Sequence, residues 1–232
     1  MLLADVCGGT LPQAVLFDLD GTLIDSAPDL AAAVDATLLQ LELPPAGETN
    51  VRQWIGNGAA MLVRRALAHA QACVVESLPD ADVQAALELF FQHYARLCVH
   101  STTVYAGTET ALCALQEQGV AMACVTNKPA QFTAQLLQHL GLARYFPVAV
   151  SGDTLAVKKP DPAPLLAAAN GLGVNLARCV MVGDSATDVQ AARNAGIPVV
   201  AVSYGYTRGL GAAALGADAV VDNLVQLLKE PA

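Results

Sequence analysis

Six short apolar runs punctuate the chain, at 14–18 (AVLFD), 120–125 (VAMACV), 147–150 (PVAV), 179–182 (CVMV), 198–202 (PVVAV) and 219–221 (AVV). Each has the length of a strand, and the residues between them carry helix signals. Thr108 can cap a helix that runs to Gln118 and stops at Gly119. A second helix over 129–140 stops at Gly141, and a third over 186–195 stops at Gly196. Glycine just past a helix is the usual left-handed terminator, so these endings support the assignments. Strand, helix, strand in alternation predicts an α/β fold with a mostly parallel sheet covered on both faces.

One stretch breaks that rhythm. Residues 25–105 show helical patterning and little that resembles a strand. Leu30, Val34, Leu38 and Leu41 fall along one face of a first helix, which the Pro44-Pro45 pair ends, and 59–70 and 81–98 read as further helices. A crossover between parallel strands needs one helix only, so the excess predicts an inserted helical subdomain. The expected division is a core from 1–24 and 105–232 with an insert at 25–104. No internal repeat or low-complexity tract is visible.

Composition narrows the class. The 232 residues are 54% hydrophobic and 14% charged, with a net charge of −9. No uninterrupted apolar run of about 18 residues is present to suggest a membrane span. The opening MLLADVCGGTLP lacks the basic region of a signal peptide, so a cytoplasmic location is expected. The acidic balance, without a Lys/Arg cluster, argues against nucleic acid as a partner. It leaves room for a small phosphorylated metabolite, provided positive charge is concentrated at one site. The six cysteines (7, 73, 98, 113, 124 and 179) form no CxxC pair and read as reduced thiols, mostly in the core. The four histidines make no metal-ligand pattern, although His93 and His100 would share a helix face if that helix continued.

The polar residues that remain gather at strand ends. Asp18 closes the first run and Asp20 follows two positions later. Thr126 and Asn127 follow the second run, Asp184 follows CVMVG, and Lys158 and Lys159 precede Pro160. In parallel sheets ligands bind beyond the carboxyl ends of the strands, so one site is expected there. Individually, Thr126 or Ser185 can be a helix cap, Asp188 a solvated charge and Lys159 a surface lysine. Together they place several carboxylates at the edge of an apolar core, where like charges repel or protonate unless a cation joins them. An oxygen donor set with room for water and phosphate oxygens suits Mg²⁺. Two carboxylates can then divide the labour of phosphoryl transfer. Asp18 attacks phosphorus to give an aspartyl-phosphate, and Asp20 protonates the departing alkoxide and later takes a proton from water. Thr126 and Asn127, with their amides, are expected to hold the phosphoryl oxygens, and Lys159 to offset charge on phosphate and nucleophile.

These residues resemble the four motifs of the haloacid dehalogenase-like hydrolases: DLDGT (18–22), VTN (125–127), KKP (158–160) and GDSATD (183–188). The resemblance spans nearly the whole chain. It implies a Rossmann-like, three-layer α/β/α core with an all-helical C1-type cap inserted after the first motif. It further implies Asp18 as nucleophile and metal ligand, Asp20 as acid/base that also lends a backbone carbonyl to Mg²⁺, and Asp184 as the third ligand. Asp188 and Ser185 would support that set, and Lys159, directly before the proline, is the third-motif lysine. Members that displace halide lack the second aspartate, which disfavours dehalogenation.

Within the family the chain resembles the bacterial phosphoglycolate phosphatases, through WIGNGAAMLVRRAL (54–67), SGDTLAVKKPDPAPLL (151–166) and YGYTRG (204–209). The implied substrate is 2-phosphoglycolate. Alternatives with the same core are another sugar phosphate such as N-acetylmuramic acid 6-phosphate, pyrophosphate, or a β-phosphoglucomutase-like mutase, with a non-catalytic binding protein behind them. Gly56, Asn57 and Gly58 would close over the substrate. Arg64 or Arg65 would meet a substrate carboxylate, or both would lie on the solvent face of the cap. The state expected is a monomer or homodimer.

Overall fold

Strand β1 (Ala14–Phe17) is completely buried and lies in the middle of six parallel strands. The others are β4 (Ala121–Val125), β5 (Val148–Val150), β6 (Cys179–Gly183), β7 (Val199–Val202) and β8 (Ala219–Val221), in the order β5-β4-β1-β6-β7-β8. The structure is a computed structural model that describes residues 1–207 and 211–228. All six strands match the apolar runs of the sequence to within a residue or two. Ala14 pairs with Ala121 on one side and Cys179 on the other, and Phe17 pairs with Cys124 and Val182. The chain builds outward from β1 to β4 and β5, then returns to lay down β6, β7 and β8 on the other side. Strand order therefore reverses beside β1, which opens a crevice beyond its carboxyl end.

Side-chain alternation divides β1 between two cores. Val15 and Phe17 join Met122, Cys124, Val180 and Val182 beneath α6 (Thr108–Glu117) and α7 (Ala130–His139). Ala14 and Leu16 join Ala123, Val125 and Met181 beneath α8 (Ala163–Gly171) and α9 (Ala186–Ala195). The result is a three-layer α/β/α arrangement. Phe17 is fully enclosed and packs edge-on to Phe146 at 6.1 Å, so trimming it to alanine would cost about 3–5 kcal/mol.

The stretch after β1 holds four helices: α2 (Ala27–Gln40), α3 (Glu48–Trp54), α4 (Ala59–Ala70) and α5 (Asp80–Leu97). They enclose a hydrophobic cluster of their own, with Leu30, Val34, Leu38, Val63 and Phe90 inside it. Leu41 falls just past the end of α2 and is exposed, so the predicted face is one residue shorter than expected. Helix α3 carried no clear signal because Gly47 and Pro44-Pro45 crowd its start. Pro28 sits in the first turn of α2, where a missing N–H does no harm.

The two ends of this stretch are tied together. Strands β2 (Ile24–Asp25) and β3 (Thr103–Val104) form a two-residue antiparallel ribbon that the sequence did not suggest. The buried Asp29 carboxylate accepts from the Ser101 and Thr102 amides and from the Thr102 hydroxyl, at 2.7–3.0 Å. A carboxylate taking three donors, two of them successive backbone amides, fixes where the chain leaves and re-enters the sheet.

Several local expectations need correction. Gly107, in the left-handed conformation, caps α6, and Thr108 is instead its first residue, donating its hydroxyl to the Leu23 carbonyl at 3.4 Å. The N-terminal residues form a short helix, α1 (Leu2–Val6), that buries Leu3 against the sheet domain. Cys98, Cys124 and Cys179 are buried, whereas Cys73 and Cys113 are exposed and Cys7 is half-buried. Burial pushes the Cys124 thiol up, as expected of an inert core residue. Helix α5 ends before His100, so His93 and His100 share no face, and His93 pairs with Gln40 at 2.8 Å. No helix among the described residues is long and apolar enough to cross a membrane.

Candidate active site

Asp18 follows β1 directly and lies at the reversal of strand order. Its Oδ1 accepts a hydrogen bond from the Lys159 ammonium at 2.8 Å. The same ammonium donates to Asp188 Oδ1 at 2.7 Å and to the Val125 carbonyl at 2.6 Å. Three acceptors thus match the three N–H bonds of a lysine that is almost fully buried. Burial disfavours its charge, but Asp18 and Asp188 outweigh burial and hold the ammonium above the usual lysine range. The surface-lysine and solvated-aspartate alternatives for Lys159 and Asp188 are therefore excluded.

Asp18, Asp184 and Asp188 bring one carboxylate oxygen each within 4.8 Å of one another, and all three residues are buried. Burial pushes the Asp18 carboxyl up to about 7 against the pull of Lys159, with Asp188 and Asp20 adding to the rise. Asp184 is raised well above the carboxylate range by burial, then by Asp18 and Asp188. One lysine does not neutralise three buried carboxylates, and the shortfall is what a divalent cation with oxygen ligands would supply. The donor set fits such an ion. Asp188 already spends both oxygens, Oδ1 on Lys159 and Oδ2 on the Ser185 amide and hydroxyl at 3.1 and 2.6 Å. That reciprocal bond also starts α9 as a capping box, so the helix end and the charge cluster share one side chain.

Asp184 is held from beneath. Its Oδ2 accepts the Tyr206 amide at 2.5 Å and its Oδ1 the Thr22 hydroxyl at 3.3 Å. Gly21 makes the turn under it with φ of 87°, and a Cβ there would collide with the Asp184 carboxylate. Tyr206 lies in the 204–209 segment singled out in the sequence; Arg208 and Gly209 of that segment lie outside the described residues. The Tyr206 hydroxyl accepts from the Ser26 and Ala27 amides at 2.9 and 3.0 Å and donates to Asp25 Oδ1 at 2.7 Å. One residue therefore joins the acidic cluster to the start of α2.

Asp20 has a different set of partners. Its carboxylate accepts from Lys128 Nζ at 3.0 and 3.1 Å and from the Ser26 hydroxyl at 2.5 Å. Lys128 is buried, and although burial works against its charge, Asp20 and Tyr94 hold the ammonium above the usual range. Sequence reading missed Lys128 because it looked like an ordinary residue before Pro129; the adjoining motif was the only available signal.

Thr126 and Asn127 both border the site, but their donors are partly spent. The Thr126 amide bonds the Val150 carbonyl at 2.9 Å within the sheet, which leaves its hydroxyl. The Asn127 side-chain amide donates to the Gly56 and Lys159 carbonyls at 3.2 and 3.0 Å, clamping the helical insert to the core. Its Oδ1 is buried without a hydrogen-bond partner among the described residues.

A pocket of about 500 Å³, counting its open mouth, joins Asp18, Asp20 and Lys128 to the underside of the insert. Its far wall is apolar, with Leu30, Ile55, Leu62, Phe90, Phe91 and Phe132. Gly56 and Gly58 line it as expected, and Asn57 reaches the core instead, donating to Thr187 Oγ1 at 3.2 Å. The structure does not bring Arg64 or Arg65 to this pocket. Arg64 bonds the Val75 and Leu78 carbonyls and pairs with Asp80. Arg65 braces the glycine loop through the Trp54 carbonyl and Asn57 Oδ1, at 2.8 and 3.0 Å.

Comparison with known proteins agrees with this geometry. The family model for haloacid dehalogenase-like hydrolases matches residues 12–196. A phosphoglycolate phosphatase of Pseudomonas putida is 49% identical over 224 residues, covering 95% of this chain and 80% of its own length. One from Nitrosococcus oceani is 44% identical over 217 residues, covering 93% of this chain and 95% of its own. A crystal structure of a predicted phosphoglycolate phosphatase from Haemophilus somnus 129pt superposes with a TM-score of 0.86 at 34% identity, over 93% of this chain and 96% of that one. The chain belongs to the haloacid dehalogenase-like hydrolases, and it is a phosphoric monoester hydrolase similar to the bacterial phosphoglycolate phosphatases.

Proposed function

We propose that this hydrolase is a Mg²⁺-dependent phosphatase that converts 2-phosphoglycolate to glycolate and phosphate through an aspartyl-phosphate. The observation that carries the mechanism is the separation of partners at the two aspartates: Asp18 faces Lys159 and the acidic cluster, Asp20 faces Lys128 and Ser26. A carboxylate held ionised by a lysine and a metal is suited to attack, and one apart from that cluster is placed to move a proton. The substrate rests on the similarity to the phosphoglycolate phosphatases above.

With Oδ1 bonded to Lys159, Asp18 Oδ2 is the oxygen that attacks phosphorus as the bond to the leaving oxygen breaks. Asp20 gives its proton to the departing alkoxide. In the second half, Asp20 takes a proton from water, the water oxygen attacks phosphorus, and Asp18 is regenerated as phosphate leaves. The Thr126 hydroxyl and the Asn127 backbone amide hold the phosphoryl oxygens through both halves, and Lys159 offsets charge on phosphate and nucleophile. Asp18, Asp184 and the Asp20 carbonyl would hold Mg²⁺, with Asp188 and Ser185 in support, and the ion would neutralise charge on the phosphoryl group. Residues 25–104 act as the cap and 1–24 with 105–232 as the catalytic core, and the Gly56–Gly58 loop excludes water from the pocket.

The test is phosphate release from a panel of phosphorylated metabolites with and without Mg²⁺. A kcat/KM led by 2-phosphoglycolate and abolished by EDTA supports the reading. Activity led by another ester keeps the mechanism and overturns the substrate; silence across the panel with metal present overturns both.

A further inference from the structure

Arg64 and Arg65 of α4, for which the sequence left open a substrate contact or a place on the solvent face, bond elsewhere and do not line the pocket. Lys128 is the cation that lines it. Its side chain is 3% exposed, and two of its N–H bonds serve the Asp20 oxygens at 3.0 and 3.1 Å. The ammonium also lies over the Tyr94 ring, 4.7 Å from its centroid. Tyr94 is itself 1% exposed, and its hydroxyl is buried without a hydrogen-bond partner among the described residues. Around this pair the wall is aromatic and aliphatic, with Phe90 stacked on Tyr94 at 5.4 Å and Phe132 edge-on to it at 4.8 Å.

We infer that Lys128 and Tyr94 together receive an anionic group on the alcohol that leaves, and that these two residues set the preference for a short phosphate ester carrying its own carboxylate. The inference rests on the phosphatase reading above, because it takes Asp20 as the neighbour of the leaving oxygen. Lys128 touches Asp20, so a group one or two atoms from that oxygen comes within its reach. A bare anion does not enter an apolar wall unless donors replace its water. Apart from Asp20, the Lys128 ammonium has only the Tyr94 ring and hydroxyl beside it among the described residues, weaker partners than an ionised oxygen. A carboxylate would satisfy both the ammonium and the hydroxyl. A neutral alcohol of the same shape would leave both as they are.

The test is calorimetric binding of two phosphonates in the presence of Mg²⁺, beside the hydrolysis assay. 3-Phosphonopropionate has the length of 2-phosphoglycolate and a terminal carboxylate; propylphosphonate has the same length and a methyl group. The protein should bind the first at least about 10-fold more tightly, as expected for a charge-assisted bond to a buried anion. Lys128→Met should bring the two affinities together, and Tyr94→Phe, which keeps the ring and the packing, should narrow the ratio about 5-fold. If the protein hydrolyses phosphomonoesters but binds both phosphonates equally, the receptor is overturned and the phosphatase reading stands. A preference that survives both variants overturns it equally. If no phosphomonoester is hydrolysed with metal present, the phosphatase reading fails and takes the receptor with it.

Discussion

The Lys159 ammonium lies 2.8 Å from Asp18 Oδ1 across 141 positions of sequence, and it is the cation on which the buried acidic cluster depends. Removing it in Lys159→Met leaves Asp18 and Asp188 buried without their counter-charge. Breaking a buried pair in this way costs about 3–5 kcal/mol. Urea unfolding in EDTA should show that loss, and the loss should shrink toward pH 5 as Asp18, raised to about 7, takes up a proton. Activity should fall by at least about 100-fold with Mg²⁺ present. Unchanged stability would mean that the cluster is already protonated at neutral pH.

Asp20→Ala should distinguish leaving groups. An alkoxide needs a proton to depart and an activated aryl oxide does not, so the loss of kcat should be about 100-fold or more on 2-phosphoglycolate and much smaller on para-nitrophenyl phosphate. Equal losses on both would remove Asp20 from the role of acid.

The metal-free protein should lose stability as pH rises. Asp18, ordinarily near 3.8, is raised to about 7 in the folded state, and Asp184 is raised in the same direction. Between those values the folded state binds more protons than the unfolded state, so unfolding free energy falls as pH climbs from about 4 to about 7. A cation offsets the buried negative charge that causes the fall. The rise in Tm on adding Mg²⁺ should therefore be small at pH 5 and larger at pH 8, a trend that differential scanning calorimetry would read; a rise independent of pH would show that these carboxyls do not hold the ion.

Gly205→Ala should cripple the same cluster without touching a charge. A Cβ at this position would collide with the Asp184 side chain and the Gly21 carbonyl. Asp184 then moves away from Asp18, and the Mg²⁺-dependent gain in Tm should disappear along with activity. Normal metal stabilisation in this variant would show that Asp184 is not a ligand.

Tyr206→Phe probes the link between cluster and cap. The change removes one oxygen that serves the Ser26 and Ala27 amides and Asp25. Loss of these bonds should cost about 1–3 kcal/mol in denaturant unfolding. It should also raise KM more than it lowers kcat, because α2 carries Leu30 of the pocket wall while the backbone amide on Asp184 remains. A fall in kcat alone would place Tyr206 with the chemistry instead.

The sequence by itself determined the six strands, the ends of the helices at Gly119, Gly141 and Gly196, and the placement of Asp18 and Asp184 at strand ends, with Asp20 two positions on and Lys159 on a connecting segment before Pro160. These features are local: a run of valines and alanines buries itself, a glycine accepts a left-handed turn, and a motif needs only its neighbours. Tertiary structure alone decided the partners. Lys128 reads as one more residue after Asn127 until folding sets Asp20 and the Tyr94 ring beside it. Arg64 and Arg65 read either as substrate contacts or as solvent-facing charges until α4 turns them toward Asp80 and the Trp54 carbonyl. Asp29 meets Ser101 and Thr102, and Tyr206 meets Ser26, across 72 and 180 positions respectively. A buried charge or hydroxyl must find a partner wherever the packing puts one, and the order of residues along the chain does not specify which side chains close packing will bring within hydrogen-bond reach.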